Sequence, residues 1–180
     1  MYSIRKSIKI KELLFFFLGI CFFIVGFYLR WKTLDFVYFN EWIARDINRA
    51  FNLVEGINIP LAGPELNLGG RLPGPFLYFL LAIPLLFKKA LASIFYFNFA
   101  INVFAFVFFI FMVKKNFGFL VAMLNLIFIS VYLPNIFVFS FPANPSFIFP
   151  LIALYFWFLL ELVCRGEQKY LPIIFLLVSL

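Results

Sequence analysis

Four long apolar runs constrain this chain more than any other feature. They lie at about 13–30, 90–113, 117–135 and 146–164, each close to the roughly 17–25 residues a helix needs to cross a bilayer. A shorter run, 74–87, carries Pro75 and Pro84, and a last one covers 170–180. Hydrophobic residues make up 66% of the 180, including 31 phenylalanines. A soluble fold of this size leaves too much of its surface in water to hide so much apolar area. The expected fold class is all-α: a polytopic transmembrane helix bundle, residues 1–180 forming a single transmembrane domain with external interfacial helices in its first loop.

The net charge of +7 would suggest nucleic acid in a soluble protein. Here the basic residues cluster beside apolar runs, where they set orientation and meet anionic headgroups, so the bilayer is the expected partner and nucleic acid is not. There is no histidine, which excludes a triad or metal site relying on one. Cys21 and Cys164, far apart in sequence, read as small buried residues without a disulfide. No small-residue cleavage site follows the first run, so it reads as an anchored helix with Trp31 at the interface.

Charge also arbitrates the topology. With the N-terminus cytoplasmic and 74–87 not crossing, Arg5, Lys6, Lys9, Lys11, Lys114, Lys115, Arg165 and Lys169 all face inward. If 74–87 crosses, the basic segments "KKNFG" and "CRGEQK" move outside. The first arrangement fits the positive-inside rule better, although Lys88 and Lys89 oppose it. Residues 31–89 then form an extracytoplasmic loop, with 74–87 as a re-entrant or interfacial segment. The run at 170–180 stops halfway across a bilayer, so the chain is expected to be part of a longer protein.

Five of the eight carboxylates, Asp35, Glu41, Asp46, Glu55 and Glu65, fall in that loop. They either form a plain solvated surface or serve a site at the membrane face. The spacing across 35–55 predicts an amphipathic helix, with Trp42, Ile47, Phe51 and Val54 as its apolar stripe. Glu41–Arg45 and Asp46–Arg49 are spaced for helix-surface ion pairs, and Gly56 is placed to end the helix. In "PLAGPELNLGGRLPGP" the glycines allow close backbone approach, and Arg71 with backbone N–H groups could hold an anion such as phosphate; the alternative is a plain turn. In "LPNIFVFSFPANPSFIFP" the residues Asn135, Asn144 and Ser146 either serve an external cavity or, around Asn144-Pro145, simply start the next helix. Asn98, Asn102 and Asn125 are expected to hydrogen-bond between helices, and Glu161 to reach Arg165.

In order along the chain, "NEWIARDINRAFNLVEG", "PLAGPELNLGGRLPGPFLYFLLAIP", "KKNFG" and "ANPSFIFP" resemble the N-terminal part of GT-C membrane glycosyltransferases, in particular family-39-like members related to protein mannosyltransferases and the aminoarabinose transferase. The likeness runs over the whole chain but only the first third or so of a usual member, and is most specific over 40–84. It implies a GT-C-like, incomplete fold and a polyprenyl-phosphate sugar donor. It also implies an essential acid in the first external loop. Many members carry Asp-Glu ahead of Ala-Arg-Asp; this chain reads "NEWIARD", so both Glu41 and Asp46 are candidates, Glu41 first. Arg45, Arg71 and Asn144 become the candidate substrate-binding residues. The implied chemistry is attack by an acceptor hydroxyl or amine on the anomeric carbon, with a carboxylate as general base. The arginines or a divalent cation would balance the leaving phosphate. The implied location is the plasma membrane of the cell envelope; the acceptor stays open. A transporter or flippase-like subunit without transfer chemistry is the alternative, suggested by the broken segment 74–87 and the intramembrane asparagines. An assembly protein is the third reading.

Overall fold

The structure, a computed structural model, describes residues 2–36, 40–64, 74–138 and 141–179. The chain forms α1 (Tyr2–Thr33), a 3-10 turn (Leu34–Phe36), α2 (Glu41–Val54), α3 (Phe76–Phe87), α4 (Leu91–Phe117), α5 (Phe119–Val131), α6 (Leu133–Val138), α7 (Asn144–Arg165), a second 3-10 turn (Gln168–Tyr170) and α8 (Leu171–Ser179). No strand occurs among the described residues. Three helices are long and apolar enough to cross a membrane, over Glu12–Thr33, Leu91–Phe117 and Ser146–Arg165. Leu13, Leu14, Phe17 and Ile24 on α1, and Phe104 and Phe111 on α4, point outward and uncovered. In water those side chains would be unfavourably hydrated, whereas lipid tails solvate them.

Pairwise contacts fix the helix directions. On α1 and α4, Trp31 stacks on Tyr96 at 6.1 Å, Phe27 meets Phe99 at 5.5 Å and Phe23 meets Phe106 at 5.8 Å. Rising numbers on one helix meet falling numbers on the other, so the pair is antiparallel. The α1–α5 pair is parallel: Phe16 lies 6.4 Å from Phe119, and Arg30 reaches Ser130. So is α4–α7, with Ser146 hydrogen-bonded to Asn98 near one end and Lys115 to Glu161 at the other. One end of the bundle therefore gathers the end of α1, the starts of α4 and α7 and the end of α5. The other gathers Phe16, Lys115, Phe119 and Arg165. There Glu161, buried in α7, accepts from Arg165 at 2.7 Å, Lys115 at 3.0 Å and Trp157 Nε1 at 3.1 Å.

Two features differ from expectation. The run at 117–135 is not one spanning helix. α5 has 13 residues, about 20 Å at the helical rise, and a second short helix follows. Tyr132 N–H closes the last turn on Phe128 O at 3.1 Å. Pro134 has no N–H to give to the Ser130 carbonyl four residues back, so the ladder stops there. Arg30, buried at the end of α1, replaces the missing donors. Its Nη1 donates to Ser130 O at 2.7 Å and to Gly26 O at 3.0 Å, and its Nη2 to Ile129 O at 2.6 Å. The other difference is that Cys21 and Cys164 are free but exposed, because each falls on an outward helix face.

Gly26 permits the close approach. A Cβ there would sit 2.2 Å from Ser130 O and 2.9 Å from Arg30 Nη1. At Gly19, by contrast, a Cβ would meet only the side-chain tips of Leu126 and Met123, both at 3.1 Å. Gly26→Ala is expected to destabilise the fold by about 2 kcal/mol and Gly19→Ala by less than about 1 kcal/mol, since backbone cannot give way as a side chain does. Unfolding in a mixed-micelle denaturant titration measures both; equal stability of the two variants would refute the α1–α5 contact.

Candidate functional site

The site is built on α2 and α3. Asn40 caps α2, its Oδ1 accepting from Ile43 N at 2.8 Å, which satisfies a donor the first turn leaves open. At the far end Gly56 adopts φ +70°. Its N–H bonds to Leu53 O at 3.2 Å and that of Ile57 to Asn52 O at 3.0 Å, a paired closure that needs a left-handed residue. The helix thus starts at Glu41, after a separate 3-10 turn, rather than running unbroken from 35.

The buried face also differs from the expected stripe. Ile43, Ile47 and Ala50, spaced i, i+4 and i+7, pack with Leu77, Leu81 and Leu85 of α3 and with Ile94, Phe95 and Phe147 at the starts of α4 and α7. Phe51 and Val54 flank this core, but Trp42 is largely exposed, with the Arg45 guanidinium 4.8 Å over its ring. α3 has 12 residues, about 18 Å long, short of the roughly 30 Å of a hydrocarbon core. It lies against α2 as the second half of one apolar platform.

Asp46 sits on the buried face of this platform, 7% exposed. Arg45 holds it through Nε at 3.0 Å and Nη2 at 2.9 Å, both to Oδ1. Tyr78, fully buried on α3, points its hydroxyl at the same oxygen from 3.4 Å. Arg49 donates to the Tyr78 hydroxyl at 2.6 Å and lies 5.5 Å over its ring. The expected pairs are thereby exchanged. Asp46 bonds to its neighbour Arg45, and Arg49 donates to Tyr78, because the aspartate faces inward toward α3, where the Tyr78 hydroxyl lies between the two. Burial pushes the Asp46 carboxyl above its usual range, and Arg45, Arg49 and Tyr78 hold it down by less. Glu41 occupies the exposed first turn of α2. Both candidate acids are therefore on one helix, in opposite environments.

Of the other expected site residues, Arg71 lies outside the described residues, as does Glu65. Asn144 is the first residue of α7, capped by the backbone of Ala143, with Pro145 in the first turn; the side chains of Asn144 and Asn135 lie outside the description. Ser146 is buried and donates to Asn98 Oδ1 at 2.8 Å, and Asn102 bonds back to Asn98 O at 2.9 Å. Of the three asparagines only Asn98 bonds across helices among the described residues: the Asn102 amide turns back to Asn98 and the Asn125 amide to Val121 O at 2.9 Å, each one turn back on its own helix. Sequence reasoning missed Tyr78. Its signal was one hydroxyl in the otherwise apolar "FLYFLLAIPLLF", and a buried phenol requires a partner. Beside the cluster, Arg49, Asn52, Asn58 and Ile59 line a cavity of about 360 Å³. Among the described residues no three acidic or cysteine side chains converge to hold a metal ion.

No protein-family model, curated protein or solved structure matches this chain.

The raised Asp46 pKa gives a pH test. The folded state holds this proton more tightly than the unfolded one, so the resulting stability is present below 3.8, the ordinary value. It is lost as pH rises through the higher folded pKa. Asp46→Asn cannot titrate. The stability of the native protein relative to this variant is therefore expected to fall with rising pH above 3.8 and then level off. A flat difference in chemical denaturation across pH 3.5–7 would rule out the buried carboxylate.

Proposed function

We propose that this chain is a membrane glycosyltransferase of the GT-C type, or the N-terminal part of one. It transfers a sugar from a polyprenyl-phosphate donor to an extracytoplasmic acceptor. The observation that carries the reading is the cluster on α2: a buried carboxylate, Asp46, clasped by Arg45, with Arg49 and Tyr78 beside it and an exposed acid, Glu41, one turn earlier on the same helix. The likeness of 40–84 to the first external loop of such enzymes points the same way.

The roles follow from exposure. Glu41 is open to an incoming acceptor and serves as the general base, taking the proton of the attacking hydroxyl or amine. The bond from the anomeric carbon to the phosphate oxygen breaks as the new glycosidic bond forms, and the polyprenyl phosphate leaves with the electron pair. Arg45 and Arg49 supply positive charge to that leaving group, with Arg71 a further donor. Asp46, screened from solvent, positions Arg45 rather than touching substrate. A transporter or flippase-like subunit is the second reading, favoured by the buried Ser146–Asn98–Asn102 bonds, which run from α7 to α4 and then along α4. It predicts flux of a lipid-linked substrate without product.

Transfer from a radiolabelled polyprenyl-phosphate sugar, assayed in membranes, separates these readings. Glu41→Gln is expected to lower kcat by about 100-fold or more, the usual weight of a general base. Asp46→Asn is expected to act mainly by raising KM. Full transfer in both variants would eliminate the assignment.

Orientation is tested by single cysteines at Asn58, Asn116 and Asn144 after removal of Cys21 and Cys164. Labelling from outside intact cells at 58 and 144 but not 116 is expected, with the N-terminus cytoplasmic and α3 on the outer face. Labelling at 116 but not 144 would put α3 across the membrane and separate α7 from the loop.

A further inference from the structure

A second cavity, of about 400 Å³, opens at the junction of α1 and α4, away from Asp46. This lies within the roughly 300–1,000 Å³ typical of small-ligand sites. Its walls are Trp31, Leu34, Leu91, Phe95 and Tyr96, and among the described residues that line it Asp35 is the charged one. Trp31 and Tyr96 stack at 6.1 Å with their planes 28° apart, and both are about half exposed. Lys32 lies beside the cleft, its Nζ 3.3 Å from Asp35 Oδ2, with both side chains more than half exposed.

We propose that this cleft binds the headgroup of a phosphatidylethanolamine-type lipid. Trp31 and Lys32 fall in the last turn of a helix apolar enough to span a membrane, and Tyr96 near the start of another. Tryptophan and tyrosine at such ends lie at headgroup depth, where a lipid enters sideways. The site offers three complementary groups. A carboxylate and two aromatic faces suit a primary ammonium, which can hydrogen-bond to Asp35 and lie over a ring. Lys32 suits the neighbouring phosphate. The apolar wall of Leu34, Leu91 and Phe95 suits the first acyl carbons. A zwitterion matches the Lys32–Asp35 pair charge for charge, whereas an anionic glycerol headgroup leaves Asp35 opposed by like charge. The lipid would pin the end of α1 to the start of α4. This inference depends on membrane embedding and holds whether or not the chain transfers a sugar.

The test uses the intact chain, purified in detergent, stripped of lipid and then given equal amounts of dioleoyl phosphatidylethanolamine and phosphatidylglycerol. Native mass spectrometry reads the bound fraction of each. Retention of phosphatidylethanolamine is expected to exceed that of phosphatidylglycerol by roughly tenfold, as one cation–π contact and one charged hydrogen bond would give. Asp35→Asn is expected to abolish the preference, lowering phosphatidylethanolamine retention and raising that of phosphatidylglycerol as the like charge is removed. Should that variant elute abnormally on size exclusion, Tyr96→Leu replaces it, with the same loss expected. Equal retention, a preference for phosphatidylglycerol, or a preference that survives both substitutions overturns the proposal.

Discussion

The bundle depends on one guanidinium. Pro134 removes the N–H that would have closed the ladder on Ser130, and the carbonyls of Ile129 and Ser130 would otherwise face an apolar interior unpaired. Such groups cost on the order of several kcal/mol in hydrocarbon. Arg30 reaches across from α1 and donates to both, at 2.6 and 2.7 Å. Gly26, one turn before it, has no Cβ to hold the two backbones apart. The arginine and the proline thus explain each other: both terminal nitrogens of a buried guanidinium donate to the oxygens that the interrupted helix leaves open. α5 can end early at Tyr132, and α1 is locked parallel to it.

That lock sets the stage for the platform. With α1 and α5 ending together and α4 and α7 starting there, their ends form a floor of Ile94, Phe95 and Phe147. α2 and α3 cover it with Ile43, Ile47, Ala50, Leu77, Leu81 and Leu85. Tyr78 is carried into the same layer, and its hydroxyl meets both Asp46 and Arg49 there. Glu161 organises the opposite end, with Lys115, Arg165 and Trp157 gathered on one carboxylate. The two ends have different chemistry: a carboxylate collared by cations and an indole at one, a carboxylate shared with arginine and a phenol at the other.

Much of the fold was legible because apolar runs and helix terminators act locally. The spans at 13–30, 90–113 and 146–164 follow from length and apolarity alone, and Gly56 closes α2 as its backbone freedom allows. Asn144-Pro145 starts α7 as a proline in a first turn should. The break inside 117–135 was less legible, since Pro134 signals a stop only once the partner for the freed carbonyls is known. In the candidate site, sequence spacing identified the helix that carries Glu41, Arg45, Asp46 and Arg49 but not how they pair. Spacing gives which residues share a helix face, and the pairs then depend on what that face is packed against. Trp42 left the stripe and Asp46 entered it because α3 packs against the face that carries Ile43, Ile47 and Ala50.

The sequence by itself determined that the chain is helical and largely apolar, where three of its long helices fall, and which acids and bases cluster between the first two of them. Those properties depend on composition and short-range geometry, which neighbours in space cannot undo. Only the tertiary structure decided that α1 and α5 run parallel, that Arg30 donates to the Ile129 and Ser130 carbonyls left open where α5 ends, and that Asp46 is enclosed while Glu41 remains exposed. It also decided that Trp31 and Tyr96, 65 positions apart in the chain, form one aromatic wall beside Asp35. Each of these is a long-range pairing, fixed by which faces the packed helices bury, and no local pattern encodes that choice.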